Sequence, residues 1–468
     1  VKALTLQQIR QAVGGRALST LPKQSPPITA VCTDTRRMEP SSLFIALRGD
    51  NYNANNFIPQ AAAGGAIAAL VEEIPDVSLP NVHLIKVDNT RTALGKLATY
   101  VRKGLKSKVI AVAGSNGKTS TKHLIHAALS GKLDGSISPK SYNNDIGVPL
   151  TILPANPTQD YLVLEMGTNH HGEIKVLSDM ALPDIAVITN VGAEHLEGLD
   201  DLMGVRRENA NIVSGLNPRG CLIVNGDDRE LVAAVQHYEG TIVTFGFGEH
   251  NDLFATDVEW DHAGTRFNLN GSRRTVTVPM IGRHSAANAL AALAVARRVG
   301  VSEEEAIADL AHSSGPDMRM QRHELGTLTL INDAYNANPN SMRAALETVA
   351  GLPASGRRVA ILGDMRELGD AAERYHRELG AFVAECKFDL LLCVGADAKL
   401  YADAARTAGM PEQSIHHYGD AKQLAGDVAQ HIRKNDLVLL KASRSVRLEE
   451  VAKVLLHGEE RGTRMAAG

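Results

Sequence analysis

At 468 residues the chain has room for about three domains of ordinary size, and its 44% hydrophobic and 22% charged residues are those of a globular protein. Aromatic residues make up only 4%, so the cores must rest on Ala, Val, Leu and Ile. With 49 basic residues against 53 acidic, a net charge of −4 and no basic run that stands out, a nucleic-acid or membrane-surface role has little electrostatic support.

The N-terminal segment lacks the unbroken apolar core of a secretory signal. The longest apolar stretch, 61–71, is broken by glycines and falls far short of the ~20 residues that cross a bilayer. A cytoplasmic location without membrane insertion is expected. Cys32, Cys221, Cys386 and Cys393 suit no metal knuckle, and the expectation is reduced, buried thiols.

Short apolar runs alternating with helical patterns argue for α/β layers around parallel sheets. A first α/β unit ends near residue 105, where the basic, Gly-containing stretch 101–108 reads as a separator. The run 109–113 reads as a fully buried strand followed by a glycine loop. The helix after it carries Leu124, Ile125, Ala128 and Leu129 on one face. Further buried strands are expected at 161–166, 185–191 and Cys221–Asn225. The turn formers of 313–317 mark a break. Beyond it strands are expected at 328–331, Arg358–Gly363, 390–395 and Leu437–Lys441, a second doubly wound pattern. The expected domains are 1–105, 106–315 and 316–468, with no internal repeat.

Gly114-Ser115-Asn116-Gly117-Lys118-Thr119-Ser120 follows a strand and opens a helix, the context of a P-loop. Glycines let backbone N–H groups converge on phosphate oxygens, and the helix N-terminus adds partial positive charge. Lys118 would reach the β- and γ-phosphates of ATP, and the Thr119 hydroxyl would ligate Mg²⁺. Val112 stands where the strict pattern has its first glycine, so the loop is a variant. A P-loop also needs an acidic metal partner at a neighbouring strand end. Glu165, closing the run 161–164, would emerge at the sheet's C-terminal edge, where α/β sheets bind ligands. His195 would emerge on the same edge as a further Mg²⁺ ligand.

These residues, with Asn143-Asn144-Asp145-Ile146-Gly147-Val148-Pro149 and Thr189-Asn190-Val191-Gly192-Ala193-Glu194-His195, resemble the Mur ligases, which build the peptide stem of bacterial peptidoglycan. The later motifs Asn332-Asp333-Ala334-Tyr335-Asn336-Ala337-Asn338-Pro339 and Leu362-Gly363-Asp364-Met365-Arg366-Glu367-Leu368-Gly369 are similar to the branch that adds D-alanyl-D-alanine to a UDP-MurNAc-tripeptide. The resemblance implies a central P-loop ATPase domain between an N-terminal α/β UDP-binding domain and a C-terminal Rossmann-like domain. It implies an ATP-dependent amide ligase working through an acyl phosphate, as a monomer. Residue by residue, it makes Thr119, Glu165 and His195 metal ligands and His284 and Asn288 the adenine-side element. Arg319 and Asp333 would reach phosphate and ribose on domain closure. Asn143, Asn144, Tyr335, Asn336, Asn338, Lys441, Ser443 and Arg444 would face substrate, and Asp34, Thr35 and Arg36 would grip UDP.

The chain departs from the family's pattern at Asn209, where the resemblance implies a carbamylated lysine bridging to a second Mg²⁺. Asparagine forms no carbamate, and Glu208 beside it points roughly 100° away on a helix. Ser285, Thr35 and Asn53-Ala54-Asn55 are lesser departures. The alternatives are a sister ligase adding another amino acid, a binding protein that senses ATP and UDP-sugar, and a small P-loop GTPase. The motifs beyond residue 316 speak against the last.

Overall fold

A computed structural model describes residues 3–465, apart from 23–25, 50–51, 77–78, 80, 273 and 327, with backbone alone for 458–465. Residues 1 and 2, part of the segment read above for a secretory signal, lie outside the described residues.

Helix α1 (Leu6–Val13) starts on a capping box made by Thr5 and Gln8. Strands β1 (Arg16–Ala17), β2 (Ala30–Cys32) and β3 (Ser42–Ile45) follow, then the small hairpin β4 (Arg48–Gly49) and β5 (Tyr52–Asn53). Helix α2 (Ile58–Ala63) leads to β6 (Ala66–Val71) and β7 (His83–Lys86). The sheet runs β1–β7–β6–β3–β2, parallel except for β1 against β7.

Helix α3 (Thr90–Lys103) continues into the stretch read as a basic separator, so the true link to the next strand is only 104–107. Arg102 misled that reading. Its guanidinium is buried against the central unit, 2.8 Å from Asp184 and bonded to the carbonyls of Ala181 and Leu182. A long basic side chain can pack its stem at an apolar interface while its head finds acceptors.

The central sheet is formed by β8 (Lys108–Ala113), β9 (Gly135–Ile137), β10 (Tyr161–Glu165), β11 (Ile185–Ile188), β12 (Cys221–Asn225), β13 (Thr241–Gly246), β14 (Leu253–Asp261), β15 (Gly264–Leu269) and β16 (Thr275–Val278). Their order is β16–β15–β14–β13–β12–β11–β8–β10–β9. The strands from β9 to β14 are parallel, and β14–β15–β16 form an antiparallel extension that the sequence reading did not expect. Strand β8 lies between β10 and β11, so the chain after it emerges at a topological switch point. Helices α4 (Lys118–Ser130), α5 (Gly147–Ile152), α6 (Glu173–Ala181), α7 (Leu196–Leu199), α8 (Leu202–Ala210), α9 (Arg229–Val235), α10 (Arg283–Val299) and α11 (Glu303–Leu310) cover it. The four apolar residues expected on one face of α4 are fully buried.

Strand β11 stops three residues before the expected 191. Thr189 N makes one last bond to Ala113 O, and the Thr189 and Asn190 side chains turn onto the P-loop. The expected strands 161–166 and 390–395 each end one residue early, and 328–331 shifts by one to Thr329–Asn332.

The third unit has β17 (Gln321–Glu324), β18 (Thr329–Asn332), β19 (Arg358–Gly363), β20 (Leu390–Val394), β21 (Ile415–Tyr418) and β22 (Leu437–Lys441), in the order β17–β18–β22–β19–β20–β21. All are parallel but β17. Helices α12 (Pro339–Gly351), α13 (Ala372–Glu385), α14 (Lys399–Thr407), α15 (Ala421–His431) and α16 (Glu449–Met465) complete it. Trp260 of β14 donates to Thr348 O of α12 at 3.1 Å, seating this unit on the central one. The four cysteines are free, but Cys32 and Cys386 are only half-buried, short of the expected burial. Among the described residues no helix is long and apolar enough to cross a membrane.

Candidate active site

The loop after β8 is shaped by two glycines with positive φ. At Gly114 (φ +126°) a Cβ would lie 2.1 Å from Thr189 Oγ1, and at Gly117 (φ +82°) it would lie 2.5 Å from Asn288 Oδ1. Side chains cannot occupy either place. Asn190 clamps Asn116 from both sides: its Oδ1 accepts from Asn116 N at 3.0 Å and its Nδ2 donates to Asn116 O at 2.8 Å. Gly192 N donates to Ser115 Oγ at 2.9 Å. Lys118 Nζ folds back on the loop, donating to Gly114 O at 2.5 Å and Ser115 O at 3.2 Å. Ser120 lies in the first turn of α4.

Thr119 Oγ1 donates to Glu165 Oε2 at 2.9 Å, which joins two of the expected metal ligands. The same oxygen receives Lys122 Nζ at 3.0 Å, and Glu165 Oε1 accepts from Asn143 Nδ2 at 3.1 Å. Burial pushes the Glu165 carboxyl up, but Lys122, Arg319 and Lys118 together hold it below the usual carboxylate range. A hydroxyl and a carboxylate side by side at the phosphate end of a P-loop are hard oxygen donors. They fit a hard divalent cation such as Mg²⁺, which Thr119 and Glu165 would hold.

His195 is linked to the P-loop lysine by way of Glu194. It adopts φ +50°, its Nδ1 is bonded to Glu367 of the third unit, and its Nε2 lies 3.8 Å from Glu194. Among the described residues no three His, Cys, Asp or Glu side chains form a group able to hold a metal. Glu194 is buried 4.0 Å from Lys118 Nζ, and burial raises its carboxyl above the usual range.

The third unit meets the P-loop directly. Asn338 Nδ2 donates to Asn116 Oδ1 at 2.9 Å, Ala193 N donates to Asn340 Oδ1 at 3.1 Å, and the Tyr335 hydroxyl donates to Ser141 Oγ at 2.7 Å. Arg319 lies over the Tyr335 ring at 4.2 Å, and its charge reaches Glu165 and Lys122. Asp333 accepts from Lys441 Nζ at 2.5 Å and from Met320 N at 3.0 Å, and Lys441 also donates to Asn336 O. His284, at the start of α10, feels both Asp333 and Lys441, and burial lowers its pKa. Asn288 accepts from Thr121 Oγ1 at 3.1 Å, against the P-loop. Ser443 Oγ accepts from Arg366 N at 2.9 Å, whereas Arg444 pairs with Glu449.

Two other groups of expected residues lie outside this cluster. Asn144 Oδ1 accepts from Gly147 N at 2.9 Å and lines a cleft of about 1140 Å³ between α3 and α6. Asp34 caps the short helix Thr35–Arg37 and pairs with Arg36 at 2.7 Å. Beside Asp34 stands the exposed ring of Tyr52, tilted against Phe57 at 6.5 Å.

A family model described as the Mur ligase middle domain matches residues 112–296, and one described as the Mur ligase, glutamate ligase domain matches 318–444. The chain belongs to the Mur ligase family. It is 37% identical to the UDP-N-acetylmuramoyl-tripeptide–D-alanyl-D-alanine ligase of Bacillus subtilis (strain 168), over 97% of this chain and 98% of that one. To the ligase of the same name from Escherichia coli (strain K12) it is 36% identical, over 98% and 99%. Its fold matches MurF from Acinetobacter baumannii with a TM-score of 0.88 at 32% identity, over 98% and 99% of the two chains. It also matches MurF from Thermotoga maritima in complex with ADP, with a TM-score of 0.82 at 27% identity, over 92% and 98%.

As a Mur ligase the chain is an ATP-dependent amide ligase with the three-part α/β architecture of its structural neighbours. At the departure noted in the sequence, Asn209 is buried and donates to Val205 O of its own helix at 2.9 Å. Glu208 does not replace a metal ligand: its oxygens accept from Gly172 N and Ile174 N, both at 2.7 Å, capping α6. The motifs that contain Asn190, Glu194, Asn340 and Glu367 gave these residues no role, and Lys122 lay outside every motif. Its one signal was a charge on the stripe of α4 that carries Ile125 and Leu129.

Proposed function

We propose that this chain joins D-alanyl-D-alanine to the terminal carboxylate of a UDP-N-acetylmuramoyl-tripeptide, using ATP, as a monomer in the cytoplasm. A carboxylate is a poor electrophile, so its oxygen first takes the γ-phosphoryl group of ATP, giving an acyl phosphate and ADP. The dipeptide amine then attacks the acyl carbon, the amide forms, and inorganic phosphate leaves with the transferred oxygen.

The backbone amides of residues 114–120 would cradle the phosphates while Lys118 swings from its loop carbonyls to the β/γ-phosphates. Thr119 and Glu165 would hold Mg²⁺, which when bound supplies charge neutralisation between triphosphate and carboxylate. Arg319 and Asn338 would complete the site from the third unit, and the aromatic pair Tyr52 and Phe57 beside Asp34 offers a platform for the uracil ring. Positioning of two anions side by side accounts for most of the rate in such a transfer.

One observation carries this reading: third-unit side chains hydrogen-bond at once to the P-loop, through Asn338, and to the segment bearing Asn143, through Tyr335 and Ser141. That arrangement suits a site that brings nucleotide and acceptor together. The test is phosphate release with UDP-MurNAc-tripeptide, ATP, Mg²⁺ and D-Ala-D-Ala, against mixtures lacking each in turn. Release that needs all four supports the ligase. Release with another amino acid in place of the dipeptide points to a sister ligase, and ligand binding without any release points to a sensor.

A further inference from the structure

Lys122 sits where α4 needs an apolar residue, and it has no exposed surface. Its Nζ donates to Ser138 O at 2.9 Å, Lys140 O at 2.5 Å and Glu165 Oε2 at 3.0 Å. Replacing a buried ion pair by apolar side chains is often neutral or stabilising, so core stability alone gives no reason for an ammonium here. Its contacts supply another reason. Glu165 Oε2 is the oxygen that faces Thr119, and the carbonyls of Ser138 and Lys140 begin the segment that carries Ser141 and Asn143. Glu165 N donates to Ser138 Oγ at 3.0 Å, which closes the network. One cation therefore ties the P-loop helix, the end of β10 and the acceptor-side loop into a single body.

We propose that Lys122 is a positioning residue of the ligase: it fixes the Glu165 carboxylate beside Thr119 and holds the 138–143 segment against the P-loop helix. Groups behind a metal-binding carboxylate set its orientation, and their loss commonly costs about 10–100-fold in metal affinity or activity. The role rests on the proposed reaction only for its turnover readout.

The test is a calorimetric titration of ADP binding at a series of Mg²⁺ concentrations, on the full chain. Lys122→Gln keeps donors for the two carbonyls but removes the charge at Glu165. Its half-saturating Mg²⁺ should rise about 10–100-fold, with ADP binding in EDTA unchanged and Lys122→Arg recovering part of the loss. In turnover kcat should fall by a similar factor while KM for the dipeptide holds. Wild-type Mg²⁺ dependence in a Lys122→Gln chain that merely melts lower would make Lys122 a structural cation and overturn the proposal. Should that variant not fold, the neutral pair Lys122→Met with Glu165→Gln decides. Against Glu165→Gln alone it should cost no further Mg²⁺ dependence, and a full additive loss would overturn the role. Failure of the wild-type chain to make amide would overturn the reaction instead, and the Mg²⁺–ADP titration would still judge Lys122.

Discussion

Asn338 performs two tasks with one side chain: its Oδ1 accepts from Ser341 N at 2.9 Å to cap α12, and its Nδ2 donates to Asn116 Oδ1 in the P-loop at 2.9 Å. The start of a third-unit helix is thereby tied to the nucleotide loop. Serine at this position keeps the cap but cannot reach Asn116. Asn338→Ser should leave urea stability within about 0.5 kcal/mol and raise KM for ATP about 3–10-fold, the value of one net hydrogen bond. Asn338→Ala should lose about 1 kcal/mol of stability as well. Steady-state kinetics beside urea melts separate the two effects.

Gly117→Ala places a methyl 2.5 Å from Asn288 Oδ1, at a backbone φ of +82°. ADP affinity should fall at least about 100-fold, since strain and collision together exceed ~3 kcal/mol. Adding Asn288→Ala removes the collision but not the strain, so calorimetry should show partial recovery.

Glu208 is a buried cap whose carboxylate accepts from Gly172 N, just before α6, and from Ile174 N in its first turn, and also from Asn211 Nδ2 at 3.1 Å. Glu208→Gln should destabilise the chain by about 1–3 kcal/mol in urea melts. The Mg²⁺ dependence of ADP binding should not move, and a shift there would give Glu208 a metal role that its contacts do not suggest.

His123, next to Lys122 on α4, is held down to about 4, by burial first and then by the charge of Lys122. Its unfolded value is 6.5, so between those values the unfolded chain binds a proton that the folded chain refuses. Stability is thus full above pH 6.5 and declines as pH falls towards 4. From pH 7 to 5 the contribution lost should be about 1–2 kcal/mol. Urea melts of His123→Gln should lack that part of the acid loss.

The P-loop was legible because everything that defines it is local: a buried strand, two glycines, and Lys118 with Thr119 opening a helix. Glu165 could be inferred from its place at a strand end. The partners that fix these groups could not, because Lys122–Glu165, Asn190–Asn116 and Asn338–Asn116 join residues 43, 74 and 222 positions apart. His195 illustrates the same limit. Its strand pointed it at the right edge, but a left-handed backbone and Glu367 from another unit determine where its ring nitrogens lie. Residues 101–103 failed for a different reason: basic composition suggested a solvated link, whereas Arg102 finds a carboxylate and carbonyls within the interface.

The most direct test of the chemistry follows one oxygen atom. With the terminal carboxylate of UDP-MurNAc-tripeptide labelled with ¹⁸O, transfer of the γ-phosphoryl to that carboxylate requires the released inorganic phosphate to carry one labelled oxygen, as mass spectrometry would detect. Phosphate free of label, with one labelled atom in the new amide carbonyl and the other in water, would contradict an acyl phosphate formed at this P-loop.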